Sequence, residues 1–174
     1  MTEYLHWNTE IKIADVIALL GFLATVGVVI YAALQVRQSV RATRAEILMR
    51  LLDTYFGDRE LRSMYYRIDY NEFHFDVGKF PLSDDEPHVD RLIYFFDAVG
   101  RLVKMKALTM DEVSLIAYQA QRVLENPEVS AYLDWLDGEY ARDSRPLPAH
   151  REARELAKAI TAARRRISAR GCSA

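Results

Sequence analysis

The chain has 174 residues, 51% of them hydrophobic and 28% charged, with a formal net charge of −2. That is about one domain, long enough to bury a core even after a membrane span is set aside, and it has none of the Pro/Gly/Ser bias of a disordered tract. The single cysteine, Cys172, excludes an intramolecular disulfide, fits a reducing compartment and stands one position too late for a C-terminal prenylation box.

The charge is unevenly laid out. Residues 1–36 carry one Lys/Arg against three Asp/Glu, residues 37–50 four against one, residues 51–148 eleven against nineteen, and residues 149–174 seven against two. An acidic body therefore lies between two basic flanks.

Residues 1–14 read as a short external tail, in which Tyr4 and Trp7 suit the outer membrane interface. From Val16 to Val36 there are 21 residues without a charged side chain. At about 1.5 Å per residue this is a helix of roughly 31 Å, the thickness of a hydrocarbon core, so residues 15–36 are expected to span a membrane. A cleaved signal peptide would begin with basic residues and carry a shorter apolar run, whereas Glu3, Glu10 and Asp15 outnumber Lys12 here. Arg37, Arg41, Arg44 and Arg50 follow the span and only Lys12 precedes it. The positive-inside rule then puts the N-terminus outside and the body in the cytoplasm, as in a single-pass protein of the cell inner membrane.

One face of the span is made of small residues. Alternating steps of four and three give Ala14, Ala18, Gly21, Thr25, Val28, Ala32, Gln35, Ser39 and Ala42, with bulky Leu20, Phe22, Leu23, Val26, Ile30 and Leu34 elsewhere. This is the spacing of a left-handed helix–helix seam, and Thr25 or Gln35 could bond across it. Ala14, Ala18, Gly21, Thr25, Ala32, Gln35 and Ser39 are accordingly the candidate packing face. The alternative is that Gly and Ala are simply common in membrane spans. No ionisable residue lies at membrane depth, which argues against an ion or proton path.

Residues 37–145 read as a cytoplasmic antiparallel helical bundle, all-α, with 3.6-residue periodicity and no strand alternation. A first helix runs on from the membrane to Phe56 along Ala45, Leu48, Leu52 and Tyr55, and Gly57-Asp58 breaks it, with Asp58 capping the next. That helix is expected over Arg59–Phe73, with a loop over 74–83. Ser83 to Glu86 reads as a capping box and Pro87 falls in the first turn. The helix that follows, to about Lys106, buries Val89, Leu92, Ile93, Phe96, Val99, Gly100 and Val103 and turns Asp90, Tyr94, Asp97, Arg101 and Lys104 to water. Thr109 to Glu112 is a second capping box, for a helix to about Leu124. Asn126-Pro127 starts another, ending near Gly138 or Ala141.

Residues 146–174 read as a proline linker and a basic C-terminal helix with an apolar line of Leu156, Ile160, Ala163 and Ile167. Its cations Arg151, Arg154, Lys158, Arg164, Arg165 and Arg166, with Arg170 beyond them, fit four readings: the anionic inner leaflet, an acidic surface of the body or of a partner, nucleic acid, or a solvated tail. Nucleic acid is not expected, because the acidic body would repel phosphate. Arg37, Arg41 and Arg44 join the candidate membrane-surface or acidic-partner contact.

The run Asp90-Arg91-Leu92-Ile93-Tyr94-Phe95-Phe96-Asp97-Ala98-Val99-Gly100-Arg101-Leu102-Val103-Lys104, followed by Thr109-Met110-Asp111-Glu112-Val113, resembles the core pattern of the uncharacterised bacterial family named domain of unknown function 4760. The likeness covers roughly residues 10–145, and Trp135-Leu136-Asp137 resembles that family's late aromatic-acidic stretch. It implies the plan of one N-terminal span and a cytoplasmic helical domain, and no activity or catalytic residues.

No chemical constellation appears. His6, His74, His88 and His150 are never three or four apart, so no helical metal pair exists. Asp84, Asp85, Glu86 and Asp90 could suggest a divalent cation, but acids in a first turn are what the helix dipole favours. Gly-rich phosphate loops and a nucleophile elbow are missing. Tyr65, Tyr66, Tyr70, Phe73 and Phe75 could line a pocket or simply be core. The expectation is a non-enzymatic, membrane-anchored interaction module without cofactor, metal or small-molecule substrate: an accessory or regulatory subunit, or a self-assembling scaffold, of a bacterial inner-membrane complex. Its partners are membrane lipid and a second copy or other membrane subunits. The alternative is a tethered effector or enzyme, of stress or phage-defence type, whose site forms only on assembly. A pocket in which Asp97, His88 or Tyr94 converge would favour it.

Overall fold

The computed structural model describes residues 13–143 and 148–171, with side chains other than those of residues 13–16, 18 and 167–171. The tail with Tyr4, His6 and Trp7, the linker residues Arg145, Pro146 and Leu147, Cys172, and the side chains of Ala14, Ala18, Ile167 and Arg170 lie outside the described residues. What is described is all-α: α1 (Ile13–Gly57), α2 (Arg59–Asp69), α3 (Glu86–Lys104), α4 (Met110–Leu124), α5 (Pro127–Arg142) and α6 (Arg151–Gly171). The chain divides between Ala45 and Glu46 into two compact units.

The first unit holds the apolar length of α1. Leu19, Leu20, Phe22, Leu23, Val28, Val29, Ile30 and Leu34 are all exposed. In water so many bare apolar side chains on one helix would be unstable. Among the described residues, this is the one helix long and apolar enough to cross a membrane.

The second unit is a bundle whose core is drawn from every helix in it. Tyr55 of α1, Leu61, Met64 and Ile68 of α2, Leu92, Ile93, Phe96 and Val99 of α3, Val113, Ile116 and Val123 of α4, Tyr132 and Leu133 of α5, and Ala153, Leu156 and Ile160 of α6 are buried. Met49 and Phe56 of α1 stay exposed. The aromatic residues flanking the loop split: Phe73 and Phe80 pack with Tyr132 (ring centroids 5.6 and 4.9 Å apart along that chain), whereas Tyr66 and Tyr70 stack on each other in solvent.

Several boundaries follow their caps. Asp58 accepts from the N–H groups of Glu60 and Leu61, Asn126 from those of Glu128 and Val129, and the Thr109–Glu112 capping box is closed in both directions. Two expectations are corrected. First, α2 stops at Asp69 rather than Phe73: Asn71 takes φ 58°, its N–H donates to Ile68 O, and the Glu72 N–H donates to Arg67 O at 2.7 Å. This is a Schellman ending with asparagine at the left-handed position, which asparagine tolerates better than most side chains do. Second, the Ser83–Glu86 box does not form. The N-cap of α3 is Asp85, with no side-chain cap; Glu86 bonds the Leu82 N–H, and Ser83 Oγ is buried without a partner among the described residues. Asp85 is held instead by the two terminal guanidinium nitrogens of Arg67, at 2.5 and 2.8 Å. This bond, more than burial opposes it, keeps the Asp85 carboxyl below its ordinary range.

The acids of this region are therefore structural. Asp85 ties α3 to α2, Asp90 accepts the Tyr132 hydroxyl at 2.7 Å, and Arg91 bridges Asp58 and Glu60 at 2.6 and 2.7 Å.

Helices α3 and α6 approach closely at Gly100. A Cβ built on Gly100 would lie 2.7 Å from the Glu152 carbonyl carbon and nearer still to its oxygen. Only glycine lets the first turn of α6 rest on α3 at that distance. We expect Gly100→Ala to destabilise the domain by about 1–3 kcal/mol, the usual cost of overpacking, read as a lower denaturation midpoint. The reverse is expected at Tyr55, which is 2% exposed and whose hydroxyl has no partner among the described residues. Tyr55→Phe removes an unsatisfied polar group worth roughly 1–3 kcal/mol and should raise the midpoint; a fall would show that the hydroxyl is bonded in solution.

Candidate functional site

Two surfaces carry the residues singled out by sequence. On α1 the described small-face positions Gly21, Thr25, Val28, Ala32, Gln35 and Ser39 are all exposed, as are Arg37 and Arg41, while Arg44 is half-buried. The Thr25 hydroxyl donates to the Gly21 carbonyl one turn back, at 2.9 Å, so it is engaged within its own helix. A Cβ at Gly21 would meet nothing within 4 Å. From Gly21 to Ser39 the face is mostly short side chains, with Val28 and Gln35 the longer ones.

On α6 the structure separates the cations. Ala153, Leu156 and Ile160 are buried against α3 and α4. Arg154 reaches Asp134 and Asp137 of α5 at 3.1 and 2.7 Å, and Arg164 donates to Gln121 of α4 at 3.1 Å. These two meet the domain's own polar groups. Arg151, Lys158, Arg165 and Arg166 stay exposed.

How α6 is held depends on a residue that the sequence placed wrongly. Asp97 was expected on the wet face of α3 with Arg101; it is 3% exposed. Its Oδ1 accepts the N–H groups of Glu152 and Ala153 at 3.0 and 3.1 Å, and its Oδ2 the Arg101 Nε at 3.0 Å. A carboxylate from one helix thus caps the positive end of another. The sequence does hold a signal: Asp97 stands four after Ile93 and three before Gly100, inside the apolar stripe rather than opposite it. Asp137 adds a second grip, accepting the Ala149 N–H at 2.6 Å.

His150 immediately precedes α6. Its backbone has φ 49°, its side chain is 9% exposed and its ring meets Tyr94 edge-on, with centroids 4.5 Å apart. His88 lies elsewhere, 3.9 Å from Glu60 of α2. Asp97, His88 and Tyr94 therefore do not converge on one pocket. The hollows include one of about 380 Å³ between α3 and α6 around Gly100, Lys104 and Glu152, one of about 270 Å³ between α4 and α6 around Met110, Ala117 and Ile160, and a wider, open one of about 530 Å³ along α6 around Glu125, Lys158, Thr161 and Arg165. Lys104 crosses the first to reach Glu152 at 2.5 Å. Among the described residues, no three His, Cys, Asp or Glu side chains group as a metal site.

No known protein family, curated protein or solved structure matches the chain.

Burial holds the His150 imidazole below its ordinary value of 6.5; Asp97, Asp90 and Asp137 pull it up less strongly, and Arg154 pushes the same way as burial. A group whose folded value is depressed resists a proton that the unfolded chain accepts. Stability is therefore complete above about 6.5 and falls as the pH drops below it, towards the folded value. His150→Asn keeps a residue that tolerates positive φ and can cap a helix, yet does not titrate. Melting between pH 7.5 and pH 5.5 should show a smaller loss of stability for His150→Asn than for the parent; equal losses would remove His150 from the linkage.

Proposed function

We propose that the chain is a membrane-anchored helical interaction module, in which α1 crosses a bilayer once and the domain works on the cytoplasmic side as an accessory or regulatory subunit, or a self-assembling scaffold, of a bacterial inner-membrane complex. The observation that carries this reading is α1 itself. Its apolar side chains are exposed over the length of a bilayer core, and one face offers open backbone at Gly21 with Thr25, Ala32, Gln35 and Ser39 in line. Where hydrocarbon surrounds a helix, association rests on close packing and interhelical hydrogen bonds, and small residues permit both.

The orientation rests on charge. Arg37 and Arg41 follow the apolar run directly and are exposed, whereas Lys12 alone precedes it. The cation-rich end of a span stays on the cytoplasmic side. The domain supports an interaction role through what it does with its polar groups: Asp97, Asp85, Asp90 and Arg154 close helix junctions. His88 stands by Glu60, apart from Tyr94 and Asp97, which weighs against a preformed catalytic pocket that joins the three.

The seam is testable without disturbing the isolated fold, because a side chain at Gly21 meets nothing within 4 Å. With Cys172→Ser and a reporter Gln35→Cys, thiol crosslinking in native membranes should give a defined adduct. Gly21→Leu should reduce that adduct severalfold, as bulk does at a small-residue interface. Undiminished crosslinking would count against this face, and the mass of the adduct tells a second copy from another subunit.

A further inference from the structure

The outer face of α6 has a composition unlike the rest of the domain. At about 100° per residue, Arg151, Glu155, Lys158, Ala162 and Arg165 lie within roughly 40° of a single line, with Arg166 beside it. The four cations are exposed, and Lys158 pairs at 2.9 Å with Glu155, the one carboxylate among them. No large apolar side chain lies on this strip. Its opposite face carries Ala153, Leu156 and Ile160 into the core, and Asp97 and Asp137 fix the helix at its first turn, so the strip is held in one orientation on the domain. Residues 51–148, by contrast, carry eleven Lys/Arg against nineteen Asp/Glu. The domain is electrically two-sided: an acidic body with a basic strip along one edge.

We infer that this strip is a docking surface for the anionic phospholipid headgroups of the bilayer that α1 crosses. The inference rests on the reading of α1 as a membrane span. A strip of exposed cations without large apolar side chains suits a charged surface, and its cations complement lipid phosphate. Tethering keeps the domain at high effective concentration beside that plane, so a few weak electrostatic contacts suffice. The acidic body is repelled by the same surface, which turns the strip inward and the remainder outward. The same body disfavours nucleic acid, whose phosphates would have to pass it. Arg154 and Arg164 take no part, since they are engaged with α5 and α4.

The test uses the full chain with Cys172→Ser and a nitroxide on Ala162→Cys, at the middle of the strip. It is reconstituted into vesicles of phosphatidylcholine alone or mixed with phosphatidylglycerol, each doped with a nickel-chelating lipid. Relaxation of the nitroxide by headgroup nickel should be severalfold stronger in the anionic vesicles, and high salt should abolish the difference. Lys158→Gln with Arg165→Gln should weaken docking by roughly 5-fold per cation removed, with helix content unchanged by circular dichroism. Equal relaxation in neutral and anionic vesicles overturns the inference, and so does a signal that responds to added polyglutamate but not to lipid charge. Flotation separates the two readings: a chain that fails to float with neutral vesicles refutes the span itself, whereas one that floats without the lipid-dependent signal refutes only the docking surface.

Discussion

A buried carboxylate under a helix N-terminus sets the geometry of the domain. Asp97 has almost no exposure, and an anion in that position is costly unless its oxygens are satisfied. Two backbone N–H groups of α6 and the Arg101 guanidinium satisfy it. The dependence is mutual. The first turn of α6 has N–H groups with no intrahelical partner, and Asp97 is their acceptor. Gly100, one turn further along α3, then decides how near the two helices come. With the charge fixed and the spacing fixed, Leu156 and Ile160 meet α3 and α4 in one register, and α6 becomes part of the core rather than an appendage to it.

That junction also shows where reading the sequence succeeds and where it stops. Elements announced by local chemistry were legible: the Asp58, Thr109 and Asn126 caps, the stop at Gly57, the all-α class and the apolar helix. Each depends on residues a few positions apart. The Asn71 turn was equally local but sat inside a run that looked periodic, so α2 was drawn too long. Ser83 and Glu86 had the right spacing for a box, yet Arg67, eighteen residues away from Asp85, decides how α3 begins. Asp97 failed for the same reason. Its partners are 55 and 56 residues downstream, and a charge beside an apolar stripe reads as solvated until the helix that needs it is placed. Of the candidate surfaces, the α1 face was visible in spacing alone. The engagement of Arg154 and Arg164 with other helices was not, because it depends on Asp134, Asp137 and Gln121.

Charge in this protein therefore does two kinds of work. Inside the domain it adds longer-range bonds to sequence-local capping: Arg67 to Asp85, Arg91 to Asp58 and Glu60, Arg122 to Asp69, Arg154 to Asp137. Surface pairs of this sort add little singly, but each crosses a helix junction, so together they specify which helices adjoin. Outside it, what is left over is not random. Exposed cations gather along one edge of α6 and just past the apolar length of α1, while residues 51–148 carry the excess of acids.

The dependence of Asp97 on α6 has a consequence for how the protein is made. Synthesis runs from α1 to α6, so α3 is made well before the helix that rests on it. At roughly 5–20 residues per second, the 56 residues between Asp97 and Ala153 take about 3–11 s to synthesise. Throughout that interval α3 presents a carboxylate and a glycine notch with nothing against them, so the domain stays open until its final helix arrives. A chain cut short before residue 151 would leave the Asp97 carboxylate without the two N–H groups it accepts and Gly100 without the helix turn that rests on it, two marks of an unfinished domain.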